Sequence, residues 1–282
     1  MKNSVQAPGP LYRMMQQYKE AQLLFAGIEL DVFSYLQEAV TAVAVAGKTG
    51  YDARNLALFL NSLAAIGLLE KNSDRFQNTP VAEAFLNRHS ELYLGEYLAF
   101  RNGMTSLDQV VARVRQGPDV SIRQHNQGSR VYNFRELARL SAVEIYTGRV
   151  QDFLQAVQSV FLPDSTLHVL DLGGGSGMLV IETLTQFPRA SGVIFEHPQV
   201  ADIPEQFVKE RRLMDRLQVW RGDFMTDDIG DGYDLIVVPA FLILPVPTCR
   251  EWPAKLPGRC GRTAICIWSV IRSAPIFFPP RK

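Results

Sequence analysis

Cysteine and histidine are scarce in this 282-residue chain: Cys249, Cys260 and Cys266 all lie near its end, and the four histidines stop at His197. No His, Cys or carboxylate cluster has metal-ligand spacing, so no metal site is expected. Long apolar runs are missing too. The longest, Leu235 to Pro247, is too short and too proline-broken to cross a bilayer, and Met1 to Glu20 has no apolar signal core, which points away from membranes and to the cytoplasm. Neither sign of charge is in excess, with 29 Lys+Arg against 29 Asp+Glu, so the basic surplus of a nucleic-acid binder is absent. No internal repeat or low-complexity tract appears. What remains is an ordinary globular composition, long enough for one large or two modest domains.

The most informative stretch is LHVLDLGGGSG, Leu167 to Gly177. It reads as a short apolar strand, Leu167 to Leu172, then a glycine turn, then an amphipathic helix with Ile181, Leu184 and Phe187 on one side. Gly173, Gly175 and Gly177 remove the Cβ from one side of the turn, so a ligand can lie against backbone at a helix start. Met178 stands where the dinucleotide pattern G-x-G-x-x-G requires glycine. Asp171, at the tip of the strand, would repel a pyrophosphate but can accept hydrogen bonds from an ammonium group, which points to an amino-acid ligand. The competing reading is a glycine turn needed only for strand–helix packing.

The pattern acidic-x-G-x-G-x-G resembles the first motif of the class I S-adenosylmethionine-dependent methyltransferases. The resemblance implies a second acidic residue about 20 residues on, at the end of the next strand. SGVIFE supplies it in Glu196, whose carboxylate, by resemblance, takes the ribose hydroxyls. RLQVWRGDF supplies Asp223 for the adenine amino group and Phe224 to pack on the ring, and YDLIVV, Tyr233 to Val238, reads as a fourth strand. The implied cofactor is S-adenosyl-L-methionine. On this reading Asp171→Ala and Gly175→Val weaken cofactor binding, and Glu196→Gln matters less because an amide still accepts one hydrogen bond.

Upstream, Leu11 to Leu36 has helical apolar spacing, and residues 41 to 80 read as helix, turn, helix, strand, a hairpin tip at Asn72 to Asp74, and a returning strand. That order is a winged helix, with Leu56, Phe59, Leu60 and Leu63 as its buried stripe. DNA binding is the rival function it raises. Yet the would-be recognition helix offers only Arg54, and the wing only Lys71 and Arg75, offset by Glu70 and Asp74. ELDVFSYL, AGKTG, LNSLAAIGLLE and FQNTPVAEAFL, within Leu11 to Leu86, resemble the dimerisation domain of the small-molecule O-methyltransferases. This implies a homodimer, and Tyr12, Met14 and Met15 either touch substrate or pack the interface.

The fold so read is an N-terminal helical winged-helix dimerisation domain, 1–95, connecting helices and a substrate lid, 96–160, and a Rossmann-like class I methyltransferase α/β domain, 161–282. The function implied is methyl transfer to a small acceptor, a hydroxyl of an aromatic or polyketide-like metabolite. The alternatives are a cofactor-sensing winged-helix regulator and a catalytically impaired cofactor binder. By the same resemblance Phe100, Asn102, Met104 and Tyr146 are candidates for lining the acceptor chamber. His89 and His125 read as surface residues, His168 as structural, and His197 as a residue of the cofactor rim.

From Pro239 onward the pattern changes. Amphipathic periodicity stops, and Glu251 is the only acidic residue beside Arg250, Lys255, Arg259, Arg262, Arg272, Arg281 and Lys282. The resembled family places its catalytic histidine, when it uses one, just after the fourth strand. This chain has none there, and no catalytic residue is assigned. Codons for Ala254 to Ser269, read from their third bases, permit K-A-A-G-A-L-R-P-D-G-Y-L-H-L-V, a helix end, turn and strand like the family's own. The expectation is a frameshift at about 239, a tail that completes the sheet poorly, and an exposed apolar edge at Tyr233 to Val238. The other reading is a genuine tail in which TAICIWSVI forms a fifth strand.

Overall fold

A computed structural model describes residues 8–104, 110–117, 133–223, 226–238, 260–268 and 276–278. The chain forms two compact units, Met1–Ser106 and Leu107–Lys282, where the sequence suggested divisions at 95 and 160.

The first unit starts with α1 (Gly9–Glu29), which buries only Gly27 and Ile28. A short 3-10 turn (Val32–Tyr35) and β1 (Val40–Thr41) lead to α2 (Ala42–Thr49). The Thr41 hydroxyl caps α2 by accepting the Ala44 amide, and Gly50 ends it in the left-handed conformation. Asp52 caps α3 (Ala53–Ala65) in the same way through the Asn55 amide. β2 (Leu69–Asn72) and β3 (Arg75–Asn78) then form the antiparallel wing, with β1 on the outer side of β3. Leu56, Leu60 and Leu63 form the buried stripe, while Phe59 is only partly covered. Two wing cations are already engaged within the domain. Lys71 Nζ lies 5.5 Å from the Phe76 ring centroid, and Arg75 donates to the Ala39 carbonyl at 2.9 Å. α4 (Pro80–Leu86) and α5 (Gly95–Met104) complete the unit.

The second unit begins with α6 (Val110–Gln116), α7 (Phe134–Glu144) and α8 (Arg149–Gln158). Its parallel strands follow: β4 (His168–Leu172), β5 (Ser191–Glu196), β6 (Leu217–Arg221) and β7 (Tyr233–Val238). α9 (Met178–Gln186) joins β4 to β5, and α10 (Asp202–Glu210) joins β5 to β6. The described sheet has the order β6-β5-β4-β7-β8-β9. α9 differs from the one-sided helix expected: Met178, Leu179, Val180, Ile181, Thr183 and Leu184 are all buried, because α8 covers the side turned from the sheet with Val150, Phe153 and Val157. Arg216 closes the end of this layer, its Nη1 donating to the Leu184, Phe187, Pro188 and Ala190 carbonyls at 2.9 to 3.4 Å.

The tail departs from expectation. β8 (Cys260–Trp268) pairs parallel to β7 through Leu235↔Ile265 to Val238↔Trp268, and β9 (Ile276–Phe278) pairs antiparallel to β8. Tyr233 to Val238 is therefore an interior strand, not an exposed edge. The Thr-Ala-Ile-Cys-Ile-Trp segment suits a strand despite its basic, proline-rich surroundings, as in the reading that took TAICIWSVI for a fifth strand.

Candidate functional site

The C-terminal ends of β4, β5 and β6 bring the sequence-predicted residues to one edge of the sheet. Asp171 is the fourth residue of β4, in register with Ile194 of β5 and Val237 of β7, and it is buried. Gly173, Gly175 and Gly177 follow with φ of 66°, 60° and 71°, a conformation that disfavours a side chain. A Cβ at Gly175 would meet only the Ala138 methyl, at 3.8 Å, so that side of the turn is open. Gly177 serves as N-cap of α9 without a capping side chain, leaving first-turn amides for a ligand.

Gly174 is the residue the alternate-glycine reading missed. A Cβ there would collide with the Asp171 carboxylate, so its bare Cα is what lets Asp171 turn under the loop. The unbroken Gly-Gly-Gly run was the available signal.

Glu196 ends β5 and is buried. One oxygen accepts the Gly175 amide at 2.7 Å and the other the His197 amide at 2.7 Å. These bonds counter the burial that raises its affinity for a proton. Asp171 has no such help: among the described residues neither of its oxygens has a hydrogen-bond partner. Burial first, and then the neighbouring Glu196 charge, push its carboxyl up to about 8.

Asp223 lies two residues past Arg221, the β6 partner of Glu196, and the Gly222 amide continues that ladder to the Glu196 carbonyl at 3.1 Å. Asp223 is exposed, and its amide donates to Asp227 Oδ2 at 2.8 Å. Phe224 lies outside the described residues, as does His125. His197 is half-buried at the rim, where its Nδ1 accepts the Gln199 amide at 3.3 Å. His168 is structural, stacked on Tyr233 with centroids 4.9 Å apart. The Tyr146 hydroxyl donates to Glu182 at 2.5 Å and accepts from Arg211 at 2.9 Å, so it ties helices together.

α7 lies over the glycine turn. Ala138 packs with Val200 and Ile203, against Phe134 and Phe207. Arg135 grips Asp202 at the start of α10 through both Nε and Nη2, at 2.5 to 3.2 Å. This pairing holds the Asp202 carboxyl below its usual range. Sequence spacing gave no sign of a contact bridging some 67 positions.

Two family profiles match the chain: an O-methyltransferase dimerisation domain over residues 12–88 and an O-methyltransferase domain over residues 141–243. The chain belongs to the O-methyltransferase family built from these two domains. Among its relatives is the N,N-dimethyltransferase OxyT of Streptomyces rimosus, 24% identical, with 87% of this chain matching 73% of that protein. Another is the 3-hydroxy-5-methyl-1-naphthoate 3-O-methyltransferase of Streptomyces sahachiroi, 26% identical over 79% of this chain and 65% of that one. Human N-acetylserotonin methyltransferase, solved in complex with SAM, shares the fold at a TM-score of 0.73 and 21% identity, covering 95% of this chain and 81% of that one. An O-methyltransferase family protein from Burkholderia thailandensis does so at 0.74 and 19%, covering 94% and 80%. These relatives are methyltransferases, which leaves the regulator reading without support. Among the described residues no group of His, Cys, Asp or Glu could hold a metal, and no helix is long and apolar enough to cross a membrane.

Proposed function

We propose that the chain binds S-adenosylmethionine along the ends of β4, β5 and β6 and transfers its methyl group to a hydroxyl of a small aromatic or polyketide-like metabolite. The observation that carries this reading is the pair of buried carboxylates, Asp171 and Glu196, on either side of a glycine turn that a side chain would fill. The orphaned Asp171 suits an ammonium group, and each Glu196 oxygen retains a lone pair for a ribose hydroxyl. Asp223 would face the adenine amino group, with Phe224 against the ring.

The bound cofactor supplies a methyl group on a sulfonium, already activated toward a nucleophile. The protein's task is then to orient two ligands and keep water out, for which proximity and alignment suffice. α7 roofs the turn through Ala138, and the glycines let the cofactor approach backbone. The acceptor class is supported by the 3-hydroxy-5-methyl-1-naphthoate 3-O-methyltransferase relative, whose methyl goes to an oxygen of an aromatic metabolite. A homodimer fits both the dimerisation-domain match and the exposed Leu11, Tyr12, Met14, Met15 and Tyr18 of α1. Labelled methyl transfer to a panel of naphthols and polycyclic phenols tests the activity. Label in an aryl methyl ether is expected, and no transfer to these hydroxyls alongside transfer to the matching naphthylamines would overturn the hydroxyl assignment.

We also propose that residues after about 239 are read in a shifted frame. The match to the O-methyltransferase profile ends at residue 243, beside the point where periodicity stops. The alternative reading of the codons for Ala254 to Ser269 yields a turn and then a strand over the second half of the span that β8 occupies, and adds a histidine. Sequencing the coding DNA from Val238 to Lys255 decides this. A frame discontinuity is expected, and an intact frame with an active product would refute it.

A further inference from the structure

Asp171 differs from Glu196 and Asp202 in having, among the described residues, no donor to stabilise its charge. Glu196 has two backbone amides, and Asp202 has Arg135. Among the described residues, the groups facing Asp171 offer no cation. β5 presents a second carboxylate, Glu196. β7 presents Val237, and the first turn of α9 is Met178, Leu179 and Val180. Gly174 covers the carboxylate with backbone alone. An ionised carboxylate without donors, beside a second one, is disfavoured in such a place, and the proton settles on the member of the pair with fewer hydrogen bonds. The upward shift of the Asp171 carboxyl agrees with this.

We propose that Asp171 holds a proton in the ligand-free chain at neutral pH and releases it to solvent when the ligand's ammonium group arrives, so that cofactor uptake discharges one proton. The proposal rests on the assignment of this turn to S-adenosylmethionine. The bookkeeping is simple: the ammonium keeps its proton, the carboxylic acid becomes a carboxylate, and the new ion pair replaces the missing donors. Affinity should then rise about tenfold per pH unit between pH 6 and 7. Nearer pH 8 the amino group of the ligand itself begins to titrate and the slope flattens.

The test is calorimetry of the full chain at pH 6.5 in two buffers of different ionisation enthalpy. The titrants are S-adenosylmethionine and 5′-methylthioadenosine, which keeps adenine, ribose and sulfur but has no ammonium group. About one proton released with the first ligand and none with the second is expected. Asp171→Asn should still bind 5′-methylthioadenosine and release no proton with either ligand. Binding of S-adenosylmethionine with buffer-independent heat would overturn the proton coupling while leaving the site intact. Failure of both ligands to bind the wild-type chain would overturn the site assignment, and this proposal with it.

Discussion

Glu196 and Gly175 are joined by a 2.7 Å hydrogen bond from the glycine amide to one carboxylate oxygen, so the end of β5 and the turn after β4 hold each other in place. The second oxygen is held by the His197 amide at the same distance. A residue that merely touched a ribose would tolerate an amide. This one receives an N–H on each side.

Glu196→Gln is therefore expected to be a damaging substitution, contrary to the sequence-level expectation. Its NH2 group must face either the Gly175 or the His197 amide, donor against donor. The loss should be about 1–3 kcal/mol, roughly 5- to 160-fold in affinity for S-adenosylmethionine. Titration calorimetry of the variant checks this, and an affinity within twofold of wild type would show that the two amide bonds do not organise the site.

Gly175→Val and Gly177→Ala should separate binding from stability. At Gly175 the space belongs to the ligand, so valine blocks binding and adds only the strain of its φ of 60°. At Gly177 a methyl would lie 2.5 Å from Ile194 Cδ1 at a φ of 71°, within the core itself. Backbone strain there is worth about 1–3 kcal/mol, and the clash adds to it. Thermal melts should show the larger drop for Gly177→Ala, and calorimetry the larger loss of affinity for Gly175→Val.

The pH dependence of the ligand-free chain should carry the mark of Asp171. Its carboxyl binds a proton up to about 8 when folded, against a usual value of 3.8. Between those limits the folded state holds the extra proton, so stability falls as pH rises, by at most about 1.4 kcal/mol per unit from this one group. Asp171→Asn should flatten that fall and melt higher than wild type at pH 8. Parallel melting curves from pH 5 to 8 for the two proteins would contradict this.

Much of the cofactor edge was legible because it is local in the chain. Strand, glycine turn and helix lie within some twenty residues, β5 ends in Glu196, and Asp223 follows two residues after the end of β6. The wing was legible for the same reason: the helical stripe of Leu56, Leu60 and Leu63 and the hairpin tip at Asn72 to Asp74 are local in the chain. The roof formed by α7 was not, since Ala138 over Gly175 and Arg135 on Asp202 are long-range contacts with no periodic signature. β8 was legible only as the second of two readings, TAICIWSVI as a fifth strand, because it sits in a basic, proline-rich setting and the residues before it follow no helical period.

The tail should affect turnover more than binding. Every residue assigned to the cofactor precedes Val238, whereas no histidine follows His197. The chain as given should bind S-adenosylmethionine yet transfer methyl groups poorly, and a restored-frame version should turn over faster at similar affinity. Equal turnover by both, measured with labelled cofactor, would show that the tail is a functional segment as it stands.

The most direct test of the cofactor site is a calorimetric titration of the 282-residue chain with S-adenosylmethionine and, separately, with NAD, repeated on Gly175→Val. The site as described predicts saturable binding of S-adenosylmethionine, none of NAD, and loss of the first in the variant. Preference for NAD, or unchanged S-adenosylmethionine binding by Gly175→Val, would contradict it.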